Sequence, residues 1–211
     1  MIKKIKKVLI LAPHTDDGEF GCGGTIAKLI EEGCEVYYMA FSVCEQSVPY
    51  GFKEDELERE LMNATRELGI PESNVIIKRY EVRRFPEHRQ EILQDMIDIR
   101  SKIHPDLVFM PTPGDIHQDH QVISAEGIRA FKHSNIFCYE MIWNNISITT
   151  SGFFKLDTRH VQKKADALKC YKTQEFRNYA NSEFVFSLAK TRGVQIGCEY
   201  AEAFQVIRFI S

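Results

Sequence analysis

A short apolar run near the start of the chain ends abruptly in a cluster of polar residues, and this feature constrains the fold most. Val8–Ala12 contains only apolar side chains and is followed at once by Pro13. An uninterrupted apolar run of this length is typical of a strand buried on both faces of a parallel sheet. Pro13 cannot continue a central strand, so the polar residues of His14–Glu19 lie just beyond its carboxyl end. Open α/β sheets bind their ligands at that edge.

The same arrangement occurs again near the middle of the chain. Pro105–Met110 is a second predicted strand, Pro111 ends it, and the polar loop that follows contains His117 and His120. These two histidines are three positions apart, so their rings share one face if the segment is helical. Two clusters of histidine and aspartate, each at the exit of a predicted strand, favour a metal site.

Negative charge is concentrated in the first polar cluster, where Asp16, Asp17 and Glu19 stand close together. Such a concentration is costly unless a cation lies between the side chains. His14 adds a nitrogen donor of the kind that zinc accepts. Taken alone, the cluster is equally compatible with a solvated acidic turn that caps the next helix. The second cluster decides in favour of a metal.

Strand and helix patterns alternate along the chain. They predict an α/β protein with a three-layer α/β/α, Rossmann-like fold, a mostly parallel sheet and a less regular C-terminal part. No internal repeat or linker interrupts the pattern, so residues 1–211 are expected to form a single domain. Strands are predicted at Val8–Ala12, Glu35–Phe41, Asn74–Lys78, Pro105–Met110, Asn135–Tyr139, Phe153–Leu156 and Tyr200–Ile210. Helices are predicted at Gly21–Glu32, Glu54–Leu68, Arg89–Ile103, from the second motif to Phe131, at Arg159–Tyr171 and at Ser182–Arg192.

Composition excludes several classes of function. A net charge of -3 gives no electrostatic case for binding nucleic acid or an anionic membrane. The apolar run after the basic Met1–Lys7 is too short for the core of a signal peptide, and no stretch approaches the roughly 20 apolar residues of a membrane span. The six cysteines show no paired spacing, which is typical of reduced thiols. These features predict a cytoplasmic protein without a nucleic-acid or membrane partner.

Several motifs together resemble one family of metal enzymes. In chain order they are His14-Thr15-Asp16-Asp17 with Glu19, Gly21-Cys22-Gly23-Gly24-Thr25, His117-Gln118-Asp119-His120 and Tyr200-Ala201-Glu202-Ala203-Phe204. The set is similar to that of the PIG-L/LmbE-like zinc-dependent de-N-acetylases, and the resemblance spans nearly the whole chain. Thr15 and Gln118 stand where the family's motifs usually have prolines, which carry no chemistry.

The resemblance implies a metal centre in which His14, Asp17 and His120 are the three protein ligands and water takes the fourth position. The metal would be one Zn²⁺ per chain, with Fe²⁺ as an alternative. Asp16 would then stand beside the metal without binding it, as the general base that takes a proton from the water.

The resemblance also assigns supporting roles. His117 would stabilise the developing oxyanion and, in its charged form, could protonate the departing amine, with Asp119 orienting its ring. Arg59 resembles a family arginine that contacts substrate, although a run of charges such as the one around it is more often a solvated helix face.

The implied function is hydrolysis of an N-acetyl group from a small amino sugar conjugate of the N-acetylglucosamine type, by attack of metal-bound water. The residues leave open which conjugate is used, whether zinc or iron is bound, and the oligomeric state, for which the resemblance suggests a homo-oligomer.

Other functions remain compatible with the residues. The Gly-rich segment Gly21–Gly24 could cradle a phosphate, although the carboxylates before it would repel a pyrophosphate. A metal phosphoesterase would need enough ligands for two metals. A metal-retaining but catalytically silent sugar- or nucleotide-binding protein, or a metal-dependent hydrolase of another amide or ester, also stays open.

Four residues near these motifs have structural interpretations. Glu19 is expected to support the first helical turn, and Asp115 is expected to be a loop carboxylate without a role. Cys22 belongs to a Gly-rich segment suited to close packing, and the lone Trp143 is more typical of a core than of a sugar site.

Overall fold

Seven strands form a single mixed sheet in the computed structural model, which describes residues 5–210. The first four residues of the basic Met1–Lys7 stretch lie outside the described part. All described strands join this one sheet, and the single domain over residues 1–211 stays a prediction. The strands are β1 (Lys7–Ala12), β2 (Glu35–Ala40), β3 (Val75–Ile77), β4 (Leu107–Pro111), β5 (Asn135–Tyr139), β6 (Gly152–Leu156) and β7 (Tyr200–Arg208).

Strand order explains where the two sequence motifs meet. The sheet runs β3-β2-β1-β4-β5-β7-β6, so the chain reverses direction across the sheet between β1 and β4. These two strands are parallel neighbours, with Val8 opposite Leu107 and Ile10 opposite Phe109. Their carboxyl ends therefore lie side by side at the topological switch point, where open α/β sheets form their ligand crevice.

Within the described residues, six α-helices cover the two faces of the sheet, as the alternating pattern predicts. Val8, Ile10 and Ala12 pack into one apolar cluster, while Leu9 and Leu11 pack into the cluster on the opposite face. The strand is buried on both faces, which accounts for its uninterrupted apolar sequence. None of the helices within residues 5–210 has the length and apolarity to cross a membrane. The helices are α1 (Asp17–Glu31), α2 (Glu56–Leu68), α3 (Arg89–Ile103), α4 (Gln118–Ala130), α5 (Thr158–Leu168) and α6 (Ser182–Gln195).

Two details differ from the predicted elements. Helix α1 begins at Asp17, four residues before the predicted start at Gly21, and it bends at Cys22, whose φ and ψ are -148° and 24°. The less regular C-terminal part corresponds to the antiparallel portion of the sheet, where β7 pairs with both β5 and β6 and the β5–β7 register shifts between Ile136 and Phe137. The parallel strands β1–β5 confirm the mostly parallel α/β architecture.

Candidate active site

The two polar motifs meet at the carboxyl ends of β1 and β4. His14 and Asp16 lie in the turn between β1 and α1, and Asp17 is the first residue of α1. His117 immediately precedes α4, and His120 lies in its first turn. Both helices therefore point their N-termini at the same crevice, where partial positive charge favours the carboxylates.

Three potential metal ligands converge on one point. Asp17 Oδ2 lies 3.2 Å from His14 Nδ1 and 3.2 Å from His120 Nε2. The two ring nitrogens are 3.3 Å from each other. In a tetrahedral zinc site with bonds near 2.0–2.1 Å, neighbouring ligand atoms are about 3.3 Å apart. The triangle of these three atoms therefore fits one face of such a site.

The remaining nitrogen of each of these histidines contacts a buried carboxylate. His14 Nε2 lies 3.0 Å from Asp119 Oδ2, and His120 Nδ1 lies 2.8 Å from Asp115 Oδ2. Because a carboxylate accepts, these nitrogens carry hydrogens, and in the neutral rings that metal binding requires the lone pairs are on the other two nitrogens, inside the triangle. Pairing of a ligand histidine with a carboxylate is the usual way in which proteins orient a metal site.

These contacts change two predicted roles. The carboxylate of Asp119 orients His14 rather than His117, and it is itself fixed by the backbone N–H groups of Arg83 (2.6 Å) and Phe85 (3.3 Å). Asp115, expected to have no role, is buried and holds both His120 and the backbone N–H of His117 (2.8 Å). Its place between the β4 exit and the two histidines was the only sequence signal for this role.

Weakening either supporting carboxylate should weaken metal binding without removing a ligand. We expect Asp115→Asn and Asp119→Asn each to lower zinc affinity about 10- to 100-fold, because the ring loses its negatively charged partner and an NH2 group replaces one of two oxygens that both accept hydrogen bonds. Competition against a zinc chelator measures this affinity. Asp98→Asn is the matched control, because Asp98 is an exposed aspartate of α3 that bonds Gln94 on the same helix. Unchanged affinity in both test variants would contradict the orienting role.

Asp16 stands beside the triangle without joining it. It occupies the position before α1, but its side chain makes no capping hydrogen bond, which argues against the interpretation as a helix cap. Its side chain lines the crevice next to His14 and Asp17. Burial, reinforced by the negative charge of Asp17, raises the pKa of Asp16 to about 6. The carboxyl group is therefore available to exchange a proton near neutral pH.

His117 caps α4 and is held in one tautomer. Its Nδ1 accepts a hydrogen bond from the backbone N–H of Asp119 at 3.2 Å, so the hydrogen of the neutral ring is on Nε2. Burial, together with the nearby His14 and His120, lowers the pKa of His117 to about 4. The predicted charged form is therefore disfavoured, and the ring faces the crevice as a neutral hydrogen-bond donor. One nitrogen from each of His14, His117 and His120 lies within 4.8 Å of the other two.

The charges of neighbouring side chains shift the pKa values of two of the three potential ligands, Asp17 and His120. Burial lowers the pKa of His120, but Asp17 and Asp115 outweigh it and raise that pKa to about 10. Burial likewise opposes the ionisation of Asp17, yet the two histidines hold its pKa well below the usual range. The negative charge of the ionised carboxylates thus favours a positive charge between these side chains, and a divalent cation would supply it.

A cleft of about 230 Å³ opens above the triangle. Trp143 lines it, stacked on Tyr179 with ring centroids 3.8 Å apart and planes inclined by 9°. Trp143 thus packs against the main apolar cluster, as expected, and also lines the cleft. Arg59 does not line the cleft: it is exposed and paired with Glu56 at 3.0 Å, whereas Leu57, two residues earlier, does line it. The structure gives no support to the predicted substrate contact of Arg59.

The Gly-rich segment has no free anion site. The bend in α1 exposes the N–H groups of Gly24 and Thr25, and both donate to the buried carboxylate of Glu202, at 3.1 and 2.7 Å. Lys164 neutralises that carboxylate at 2.7 Å. A Cβ on Gly21 would clash with the ring of Tyr139, so the glycine permits close packing. These contacts argue against phosphate binding in this segment.

Neither cysteine near the crevice is suited to act as a nucleophile. Burial raises the pKa of Cys22 well above its usual range, and its thiol donates to Gly18 O. Burial also raises the pKa of Cys44, which lines the cleft. All six cysteines are free thiols, as their spacing predicts.

Glu19 helps to hold the turn between β1 and α1 in place through two tyrosine hydroxyls. Its buried carboxyl group contacts the hydroxyls of Tyr38 and Tyr171, and both hydroxyls also lie within hydrogen-bonding distance of Thr15 O. Burial raises the pKa of Glu19 to about 8, so the group is neutral at pH 7 and glutamine is its closest analogue.

Loss of this anchor should destabilise the protein. We expect Glu19→Leu to lower the free energy of unfolding by about 1–3 kcal/mol, because it leaves two buried hydroxyls with fewer partners. Glu19→Gln should lose less than half as much, since the amide can still bond both tyrosines. Urea unfolding measures both, and equal stability of the leucine variant and the wild type would contradict this anchoring.

Comparison with known proteins adds three findings. A family model described as PIG-L: GlcNAc-PI de-N-acetylase matches residues 9–131. A probable N-acetyl-alpha-D-glucosaminyl L-malate deacetylase 2 of Bacillus subtilis (strain 168) is 25% identical, over 79% of this chain and 82% of that protein. A diacetylchitobiose deacetylase of Thermococcus kodakarensis is 28% identical, over 63% of this chain and 51% of that protein.

Solved structures share the fold. A conserved protein of Thermus thermophilus superposes with a TM-score of 0.79 at 24% identity, covering 99% of this chain and 97% of that chain. N,N'-diacetylchitobiose deacetylase of Pyrococcus horikoshii superposes with a TM-score of 0.80 at 22% identity, covering 97% of this chain and 84% of that chain. A 4-carboxy-2-hydroxymuconate hydratase of Pseudomonas putida gives 0.80 at 19% identity, covering 98% of each chain. The fold therefore serves more than one kind of reaction.

Proposed function

The chain belongs to the PIG-L family of GlcNAc-PI de-N-acetylases, and we propose that it is a metal-dependent hydrolase that removes the acetyl group from an N-acetylglucosamine conjugate. One observation carries this proposal: three ligand atoms form a triangle with edges of 3.2–3.3 Å, and an uncommitted carboxylate, that of Asp16, stands next to it. A catalytic zinc site has this composition, because it keeps a position open for water or substrate.

His14, Asp17 and His120 would hold the metal. Zinc is the ion proposed here, one per chain, because two imidazoles and one carboxylate are ligands that zinc prefers, and iron is the alternative. When bound, such an ion lowers the pKa of water towards neutrality and polarises a carbonyl oxygen. Asp115 and Asp119 keep the two rings in the orientation that this requires.

Asp16 carries the proton transfers. As a carboxylate it accepts a proton from the attacking water, whose oxygen forms a bond to the acetamide carbon. The same proton can then pass from Asp16 to the amide nitrogen as the carbon–nitrogen bond breaks. The products are acetic acid and the free amine, which at neutral pH are acetate and the protonated amine. A raised pKa suits this double role, because the group must both gain and lose a proton near neutral pH.

His117 stabilises the negative charge that develops on the carbonyl oxygen. Its Nε2–H faces the crevice because Nδ1 is already occupied by the backbone N–H of Asp119. A neutral donor with a fixed tautomer can strengthen its hydrogen bond as the oxyanion forms, without moving a proton.

The substrate class follows from the relatives rather than from the fold. The two relatives, whose names describe a malate conjugate and a diacetylchitobiose as substrates, share an acetylated glucosamine. Trp143 and Tyr179 provide a rigid aromatic wall beside the triangle, which suits a sugar ring. The hydratase of the same fold forms no amine, so amine release separates the two kinds of reaction.

Amine release from a panel of N-acetylglucosamine conjugates tests this proposal, with metal content measured on the same preparation. We expect release by the zinc- or iron-loaded protein, loss of release after chelation, and recovery when the metal is restored. Bound metal without release from any conjugate would reject acetamide hydrolysis and leave the metal site intact. Absence of bound metal after loading would reject the whole assignment.

A further inference from the structure

The wall of the cleft includes Asn144, whose side-chain amide the proposed reaction does not use. We propose that Asn144 is a specificity-determining residue: its amide binds the two adjacent equatorial hydroxyls at C3 and C4 of the sugar ring, and so selects the gluco over the galacto configuration. This inference rests on the proposed function and deepens it, because it names the feature of the sugar that the cleft recognises. Asn144 lines the same cleft as His14 and Asp17.

The amide of Asn144 differs from the other asparagine amides in having a free hydrogen-bonding group inside the cleft. Seven asparagines lie between residues 5 and 210, and five of them have a side-chain hydrogen bond: Asn63, Asn74, Asn135, Asn145 and Asn181. The side chains of the other two, Asn144 and Asn178, have no hydrogen bond to any residue in that range. Asn178 is exposed and does not line the cleft, whereas Asn144 does.

The amide of Asn144 is also accessible to a ligand. Within the described part of the chain, three buried side-chain polar atoms have no hydrogen-bond partner, and none of them belongs to Asn144. The unbonded amide of this half-buried residue is therefore open to the cleft. The cleft measures about 230 Å³, below the roughly 300–1,000 Å³ of pockets for drug-sized ligands, so a single sugar ring comes close to its walls.

Hydrogen bonds hold the backbone of Asn144 in place relative to the ligand triangle. Its N–H donates to Met141 O at 2.8 Å, and its carbonyl accepts from the N–H of Ile116 at 3.2 Å. Asn145 closes the same turn, because its Oδ1 accepts from the N–H of Met141 at 2.7 Å. Ile116 directly precedes His117. The turn that carries Asn144 is therefore tied to the loop that carries the proposed oxyanion donor.

The chemistry of a primary amide suits a pair of sugar hydroxyls. The amide oxygen accepts and the NH2 group donates, while a hydroxyl does both, so one amide can bind two neighbouring hydroxyls. In glucosamine the hydroxyls at C3 and C4 are both equatorial, whereas in galactosamine the hydroxyl at C4 is axial. An acetamide held at the triangle fixes the ring, so an amide that meets the first pair cannot meet both hydroxyls of the second. The galacto ring would leave a desolvated amide group unpaired, which weakens its binding.

The methyl glycosides of N-acetylglucosamine and N-acetylgalactosamine test this inference, because they differ only in configuration at C4. We expect the metal-loaded wild type to release amine from the gluco epimer with a kcat/KM about 10- to 100-fold higher than from the galacto epimer. Asn144→Leu and Asn144→Ala should each lower the gluco value about 10- to 100-fold and change the galacto value less than about threefold. Both epimers are measured on one preparation, so a smaller folded fraction cancels from their ratio.

Asn178→Leu is the matched control, because it removes the other unbonded asparagine amide of the described residues from an exposed position outside the cleft. Calorimetric titration of the metal-loaded protein with the two deacetylated methyl glycosides gives a readout that does not need turnover. Wild type should bind the gluco amine more tightly, and both Asn144 variants should lose this preference.

Amine release with a ratio between the epimers that neither Asn144 variant changes would overturn the role of Asn144 and leave deacetylation intact. A gluco preference in binding that both variants lose, without amine release from any conjugate, would retain the role of Asn144 and reject the proposed function.

Discussion

Replacing Asp16 by asparagine is expected to lower kcat/KM for amine release about 100- to 10,000-fold, which is the usual contribution of a general base. The amide has nearly the shape of the carboxylate but cannot accept the proton of the attacking water. Metal content should stay at the wild-type level, because Asp16 is not one of the three atoms of the triangle. Amine release and metal content are measured on the same sample.

Asp98→Asn removes the same charge from an exposed position of α3 and should leave both quantities unchanged. Two outcomes would contradict the assignment of Asp16. Full activity in Asp16→Asn would show that another group takes the proton, and loss of the metal would show that Asp16 is a ligand.

Replacing His120 by alanine is expected to abolish metal binding, and with it amine release. His120 Nε2 forms one corner of the ligand triangle, and the two ligands that remain do not make the three-residue set of a catalytic zinc site. Metal content after loading and desalting should fall from about one equivalent to below about a tenth. Elemental analysis measures this, and retention of one tightly bound equivalent would remove His120 from the ligand set.

Alanine also leaves Asp115 without its partner, so stability is tested separately. His120→Asn keeps an N–H group near the former Nδ1, where it can still donate to Asp115, but has no nitrogen at the position of Nε2. The asparagine variant should lose the metal as fully as the alanine variant while melting closer to the wild type. His133→Ala, which removes an exposed histidine shortly before β5, is the control for metal loading.

The ligand triangle and its supporting carboxylates form one connected unit across two motifs. Asp119 reaches His14, which is 105 positions away in sequence, and also receives the backbone N–H of Arg83. The loop before α3 is therefore tied to the candidate metal site through Asp119. We expect Arg83→Val, which is strained at the φ of 68°, to lower metal affinity in competition against a zinc chelator, whereas Arg83→Asn, which tolerates that backbone, should leave it unchanged.

The strands, the helices and the points where the chain leaves the sheet were largely predictable, because each depends on a pattern of neighbouring residues in the sequence. The uninterrupted apolar runs of β1 and β4 indicate burial on both faces, and the prolines after them mark the points where the chain leaves the sheet. The residue types at these exits, histidine with aspartate, indicate a metal before any contact is known. The predicted homo-oligomer and cytoplasmic location stay predictions.

The sequence by itself determined the alternation of strands and helices, the mostly parallel sheet and the set of residues from which a metal site is built. Only the tertiary structure decided which nitrogen each carboxylate contacts. Asp119 contacts His14, and Asp115 contacts His120. Glu202 accepts hydrogen bonds from the backbone N–H groups of Gly24 and Thr25 at the bend in α1. The tertiary structure also decided that Leu57 rather than Arg59 lines the cleft. The physical reason is that periodicity fixes the local face of each side chain, whereas contacts between remote residues depend on the order of strands in the sheet and on the bend of a helix.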